Sequence, residues 1–273
     1  MLTATQELWD YRALVLNLTN REIKSQFKMT FLGNLWALIN PTLTLAVYSL
    51  VFGYFLSFHR NTPEAWASGL QSFPLYLFCA LMMWWLFNRV AIGATGAFTS
   101  MGSLLRKVYF PPSAPIVAHG LAQVRQTMLE GLVCMLVLCL VGNTPWTFIL
   151  WPLLIPLMLA FGMGMGMLLA LANAYYKDVG YLTTILNMLL FYVTPIIYSV
   201  DAVGETEFMG IPVKSLMQLN PLTQFVEASR ELLYLGVVPG LWRMVALVGI
   251  SATSLVVGWA LFVKYSKDVS EVV

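Results

Sequence analysis

The sequence predicts an all-α, polytopic membrane protein. It should have six transmembrane helices, an N-terminal amphipathic interface helix and a re-entrant extracytoplasmic segment before the last span. Three observations carry that prediction. Hydrophobic residues make up 59% of the 273 positions and charged residues only 10%, against roughly 25% charged in a soluble domain. Mean hydropathy is +0.76. Stretches free of Lys, Arg, Asp and Glu recur at lengths that suit a membrane crossing. A water-facing surface needs about a quarter to a third of its positions charged, so a soluble protein is excluded. A net charge of +2 with no basic cluster also excludes a nucleic-acid partner.

The charge-free stretches run from Met29 to His59, Ala65 to Asn88, Gly131 to Tyr176, Val179 to Val200 and Met244 to Val263. About 20 apolar residues cross the hydrocarbon layer as a helix. The third stretch is long enough for two helices, and Gly142-Asn143-Thr144-Pro145 cuts it as a turn. Six spans follow, near 34–57, 73–92, 118–141, 146–173, 181–200 and 243–263. The chain divides into a cytoplasmic interface region, 1–33, and a transmembrane domain, 34–273.

Span 3 is too short unless it extends back through Glu130 and Arg125. The expectation is that Arg125 snorkels to the headgroups and Glu130 bonds Gln126, one turn away. A transport role for Arg125, touching an anionic headgroup, is the alternative.

Basic residues set the orientation. With the N-terminus inside, cytoplasmic segments carry Arg12, Arg21, Lys24, Lys28, Arg89, Arg106, Lys107, Lys177, Lys264 and Lys267. Arg60, Lys214, Arg230 and Arg243 fall outside. This bias predicts both termini in the cytoplasm. The first apolar run is long enough to remain as a span rather than act as a cleaved signal. Cys79, Cys134 and Cys139 all lie in predicted spans, so no disulfide framework is expected. His59 and His119 have no carboxylate or cysteine at ligand spacing, and no metal site is expected.

Outside the spans, Leu8, Tyr11, Val15 and Leu18 recur at helical spacing near the N-terminus. Arg21 to Lys28 is charged, with Ile23 and Phe27 one turn apart. A helix lying along the membrane surface fits this pattern, held by lipid or by a partner protein. The segment 104–112 is basic, aromatic and closed by Pro111-Pro112. In the long connection 201–242, Pro221 suits a helix start with Asn220 as its cap. The helix that follows, through Leu233, is apolar enough to dip back into the bilayer, which is tolerated only inside protein or against a cavity. Gly162, Gly164 and Gly166 predict close helix packing in span 4, and Pro152 and Pro156 predict kinks.

No pair of side chains suits general acid–base catalysis, and only Glu130 could serve ion coupling. No Gly-Lys dipeptide occurs, so the phosphate-cradling loop of an ATPase is absent from this sequence. Two polar and aromatic stripes remain. Thr184, Asn187, Phe191, Thr194 and Tyr198 share one sector of span 5. Asn40, Thr44, Tyr48, Phe52 and Phe55 follow a similar ridge on span 1, entered by Trp36. Interhelical packing explains such stripes. So does a passage lined by hydroxyls, amides and aromatic faces, which suit the hydroxyls and C–H faces of sugars.

Several segments together resemble one family. Arg21-Glu22-Ile23-Lys24-Ser25-Gln26-Phe27-Lys28 and Leu32-Gly33-Asn34-Leu35-Trp36-Ala37-Leu38-Ile39-Asn40-Pro41 form the opening signature. Lys107-Val108-Tyr109-Phe110-Pro111, Tyr176-Lys177-Asp178-Val179, Thr194-Pro195-Ile196-Ile197-Tyr198 and Asn220-Pro221-Leu222 continue it in order over nearly the whole chain. The pattern is similar to the membrane subunits of type-2 ABC exporters for polysaccharides, such as O-antigen or teichoic acid. Lys177 departs from the arginine expected before the aspartate, but the charge is kept.

The resemblance implies a permease subunit, not an enzyme, paired with a second copy of itself and two separate ATP-binding cassette subunits. No cofactor is expected in this chain, with ATP and Mg on the partner ATPase. Arg21, Lys24, Lys28, Arg106, Lys107, Val108, Tyr109 and Phe110 would contact that ATPase, with Tyr176, Lys177 and Asp178 as a smaller contact. Spans 1 and 5 would line the path, and Asn220, Pro221, Phe225, Glu227 and Arg230 would belong to an outer gate. The cargo would be a polysaccharide or lipid-linked glycan crossing a bacterial cytoplasmic membrane. A lipid or drug exporter of the same architecture, or an ATP-independent channel or scaffold, are the alternatives.

Overall fold

Membrane burial favours helices because they satisfy every backbone polar group internally, and helices dominate the computed structural model of the chain. It describes residues 2–56, 62–65, 68–69, 71–100, 111–204, 207–208 and 210–269. In chain order the helices are α1 (Leu2–Asp10), α2 (Arg12–Ser25), α3 (Trp36–Tyr48), α4 (Phe73–Phe87), α5 (Gly93–Ser100), α6 (Ala114–Leu140), α7 (Leu154–Tyr175) and α8 (Asp178–Val193). After them come α9 (Val213–Leu219), α10 (Pro221–Arg230) and α11 (Leu241–Val269). A two-residue hairpin, β1 (Glu207–Phe208) with β2 (Ile211–Pro212), interrupts the connection before α9.

Among the described residues, five helical stretches are long and apolar enough to cross a membrane: Gly33–Phe55, Phe73–Gly96, Ala114–Leu140, Trp146–Tyr175 and Leu241–Ser266. They match the first four and the last of the expected spans. The fifth expected span, 181–200, differs. Its helix α8 is 16 residues, about 24 Å long, and stops at Val193. Thr194 is extended, and Pro195 cannot donate the next helical hydrogen bond. Arg89, counted among the cytoplasmic charges and near the end of the expected span 73–92, lies within Phe73–Gly96.

The core is built around α4. Fourteen of its fifteen residues are buried, as befits a helix apolar on every side. α3 is peripheral: of its residues only Ala37, Pro41 and Leu45 are buried. The glycines of α7 divide their work. A Cβ on Gly162 would press Val90 at 3.1 Å, and one on Gly166 would meet Ala94 at 2.8 Å, so both face the α4–α5 helix. A Cβ on Gly164 would collide with the Ser254 carbonyl of α11, and one on Gly258 with Gly164. Two backbones therefore meet without side chains between them.

Two ends of the bundle are distinct. At one, Leu8 of α1 packs near a cluster of Ala94, Ile116, Ala174, Trp259 and Phe262. The Tyr175 hydroxyl donates to the Tyr265 carbonyl there at 3.2 Å. Val15 and Leu18 of α2, expected to meet lipid or a partner protein, are instead buried against Ala114 and Ala118 of α6 in the same chain. At the other end, Thr147 donates to the Leu232 carbonyl at 2.6 Å and Asn143 to that of Tyr234 at 3.1 Å.

Candidate functional site

The segment after α8 is held open by a buried cation. Arg230 is wholly buried. Its guanidinium donates to the carbonyls of Pro195 at 2.7 Å and Ile196 at 2.6 Å, and to Glu227 Oε1 at 2.8 Å. It also sits 3.9 Å from the ring centre of Tyr76. Carbonyls freed where α8 ends thus find a donor in α10, which satisfies groups that lipid could not. Asn220 caps α10 as expected: its side chain accepts from Leu222 N at 3.0 Å, and its amide donates to Thr194 Oγ1 at 3.0 Å. Phe225 is fully buried, stacked 6.0 Å from Phe161 at mid-depth of α7.

These contacts alter one expectation. Thr184, Asn187 and Phe191 remain on α8, but Thr194 is buried under Asn220 and Tyr198 has left the helix. The Tyr198 hydroxyl folds back to donate to the Tyr192 carbonyl at 2.7 Å. The span 5 stripe is therefore shorter than its spacing suggested. Asn187 donates to Asn88 Oδ1 at 2.8 Å, and Phe191 meets Trp84 edge-on at 5.4 Å. Both contacts bind α8 to the α4 helix.

On the other flank, Asn40, Thr44 and Tyr48 of α3 line a cavity of about 310 Å³. Phe52 packs on Phe73 at 5.2 Å, Trp36 is half-buried and Phe55 is exposed. Next to it lies a cleft of about 420 Å³, bounded by Gln26, Phe27, Asn40, Thr44 and Trp85 and floored by Arg89, Gln123, Gln126 and Glu130.

That floor was only partly legible. Glu130 does take a hydrogen bond from Gln126, at 3.3 Å. Its stronger partner is Arg89, bidentate at 2.8 and 2.9 Å, which also donates to Thr127 at 3.0 Å. His119, read as isolated, places Nδ1 3.2 Å from Glu22 Oε1 and Nε2 2.9 Å from the Arg89 carbonyl. Gly93 leaves room for its ring. The hydrogen bond from His119 holds the Glu22 carboxyl below its usual range, against the opposing effect of half-burial. The missed signal was a pair of opposite charges in neighbouring apolar spans, which can lie there cheaply only together. Arg125 is half-buried, with no polar partner among the described residues.

Of the residues expected to contact an ATPase, Arg21, Lys24 and Lys28 are exposed, as are Tyr176, Lys177 and Asp178 at the turn into α8. Arg106, Lys107, Val108, Tyr109 and Phe110 lie outside the described residues, as do His59, Arg60 and Glu205. Pro221 and Glu227 are half-buried on α10. No group of metal-binding side chains occurs among the described residues.

The profile of the ABC-2 type transporter family matches residues 13–234. The chain is 28% identical to the O-antigen export system permease protein RfbA of Myxococcus xanthus, covering 95% of this chain and 94% of that one. A Klebsiella pneumoniae protein of the same name is 25% identical, again over 95% and 94%. The polysialic acid transport protein KpsM of Escherichia coli is 24% identical over 89% of each.

Proposed function

Because this chain belongs to the ABC-2 type transporter family, we propose that it is the permease subunit of an ATP-driven bacterial exporter of a polysaccharide or lipid-linked glycan. The observation that carries the reading is similarity along nearly the whole chain to permeases named for O-antigen and polysialic acid. The aromatic and amide lining beside α3 and α8 supports it, since such groups pair with sugar hydroxyls and ring faces.

In this reading the chain crosses the cytoplasmic membrane six times, with α8 as the fifth crossing. Clustering of Leu8, Ile116, Ala174 and Phe262 at one end of the bundle supports the N- and C-terminal helices meeting on one side, which the bias of basic residues makes the cytoplasm. In the same reading α10 is re-entrant, which the contact of its Phe225 with Phe161 at mid-depth and of its Arg230 with Tyr76 supports. Two copies face each other through the exposed sides of α3 and α8 and enclose the path. Two ATPase subunits, carrying ATP and Mg, press on α2, on residues 106–110 and on the Tyr176–Asp178 turn.

Depletion of the chain in its own cells tests this. Glycan should then accumulate on the cytoplasmic side, and the tagged chain should co-purify with an ATPase. Continued glycan export during depletion, or a lipid or drug trapped in place of glycan, would sink the proposal.

A further inference from the structure

The cleft between α2, α3, α4 and α6 has a chemistry of its own. Among the described residues its one cation is Arg89, neutralised by a bidentate carboxylate, Glu130, which is 4% exposed. An anion entering the cleft would meet a compensated pair rather than a free positive charge. What the cleft offers instead is amides. Asn40 and Gln26 make no side-chain hydrogen bond among the described residues. The Gln126 and Gln123 amide nitrogens are used, on the Ala37 carbonyl at 3.2 Å and the His119 carbonyl at 3.4 Å. Their oxygens remain acceptors. Thr44 donates to the Asn40 carbonyl at 2.8 Å and can still accept. The half-buried Trp85 adds an indole to the wall. The volume, about 420 Å³, lies within the range of about 300–1,000 Å³ typical of small-ligand sites.

We infer that this cleft is a binding site for uncharged sugar units of the cargo, seated beside the bundle end where α2 docks. The inference rests on the glycan-export reading and deepens it. Amide oxygens and nitrogens would exchange hydrogen bonds with sugar hydroxyls, and the indole would take a C–H ring face. The Arg89–Glu130 pair holds the floor rigid and excludes phosphate. The cleft therefore reads the sugar, and a charged lipid carrier engages elsewhere.

The test uses the full-length chain, co-expressed with its ATPase and purified in lipid nanodiscs. It is titrated with short oligosaccharides from partial hydrolysis of the source cells' envelope polysaccharide. Saturable binding is expected, weakened about tenfold in the Asn40→Leu/Gln126→Leu double variant, which removes about two neutral hydrogen bonds. Thr44→Trp, which fills the cleft from α3 without touching its floor, should weaken binding at least as much. It decides the matter if the double variant does not fold. Inorganic pyrophosphate should not compete. Competition by pyrophosphate, or equal binding by wild type and Thr44→Trp, overturns the inference. No oligosaccharide binding by wild type, in cells where depletion still traps glycan, overturns the cleft alone. Depletion that traps no glycan removes the export reading instead.

Discussion

A guanidinium without water survives inside this bundle because every face of it has a partner. Arg230 is wholly buried yet touches three elements: the carbonyls after α8, Glu227 on its own helix and the Tyr76 ring on α4. Arg230→Met should therefore cost about 3 kcal/mol or more, because it orphans buried carbonyls and a carboxylate. Thermal unfolding in detergent would read this as a fall in Tm. Arg230→Lys should recover little, since an ammonium lacks the planar fork. The Arg89–Glu130 pair makes a second case. Glu130→Leu alone should destabilise by about 3 kcal/mol by stranding Arg89, whereas Arg89→Met/Glu130→Leu should come back to within about 1 kcal/mol of wild type. A double-mutant cycle on unfolding checks it, and simple additivity would refute the pairing. Neither arginine's partner was legible in sequence. The sequence suggests an outer gate for Arg230 and the cytoplasmic end of span 2 for Arg89, because local spacing cannot say which distant carbonyl or carboxylate a long side chain reaches.

At the scale of elements, much was legible because the responsible pattern is local. Asn220-Pro221 capped α10 as the dipeptide predicts. The glycines of α7 pack closely as their spacing predicts, but only the fold showed that they face two different helices. The apolar face of α2 is legible in its spacing, but not what covers it: Val15 and Leu18 are buried on α6 rather than on lipid or a partner. Val15→Asp with Leu18→Asp should release α2, since burying two carboxylates there is prohibitive. Amide exchange over residues 12–25 should accelerate while that of α4 stays slow, and the ATPase should no longer co-purify. The misreading was span 5, where periodicity continued through Thr194 and Tyr198 although the helix did not. A helical stripe says which residues would share a face if the helix persists. Proline and an available guanidinium together decided that it ends at Val193.

For the whole molecule, the two stripes flank α4 and leave the outward sides of α3 and α8 exposed, with Leu43, Val47, Leu182, Ile185, Leu186 and Leu189 open. A single copy therefore leaves apolar surface that lipid or a second copy must cover. If the path runs along these helices, Tyr48→Ala, Phe52→Ala, Phe191→Ala and Tyr198→Ala combined should lower glycan export at least tenfold. The complex should still assemble, as judged by size-exclusion chromatography and ATPase co-purification. Unchanged export would place the path elsewhere. Composition and the positions of a few charges by themselves determined that the chain is a helical membrane protein and roughly where five of its helices cross, because hydrocarbon penalises each charge wherever the chain then folds. Only the tertiary structure decided which charges neutralise one another, where α8 stops, and that amides rather than a free cation line the cleft. Those outcomes depend on distances between helices far apart in sequence, and no local pattern encodes them.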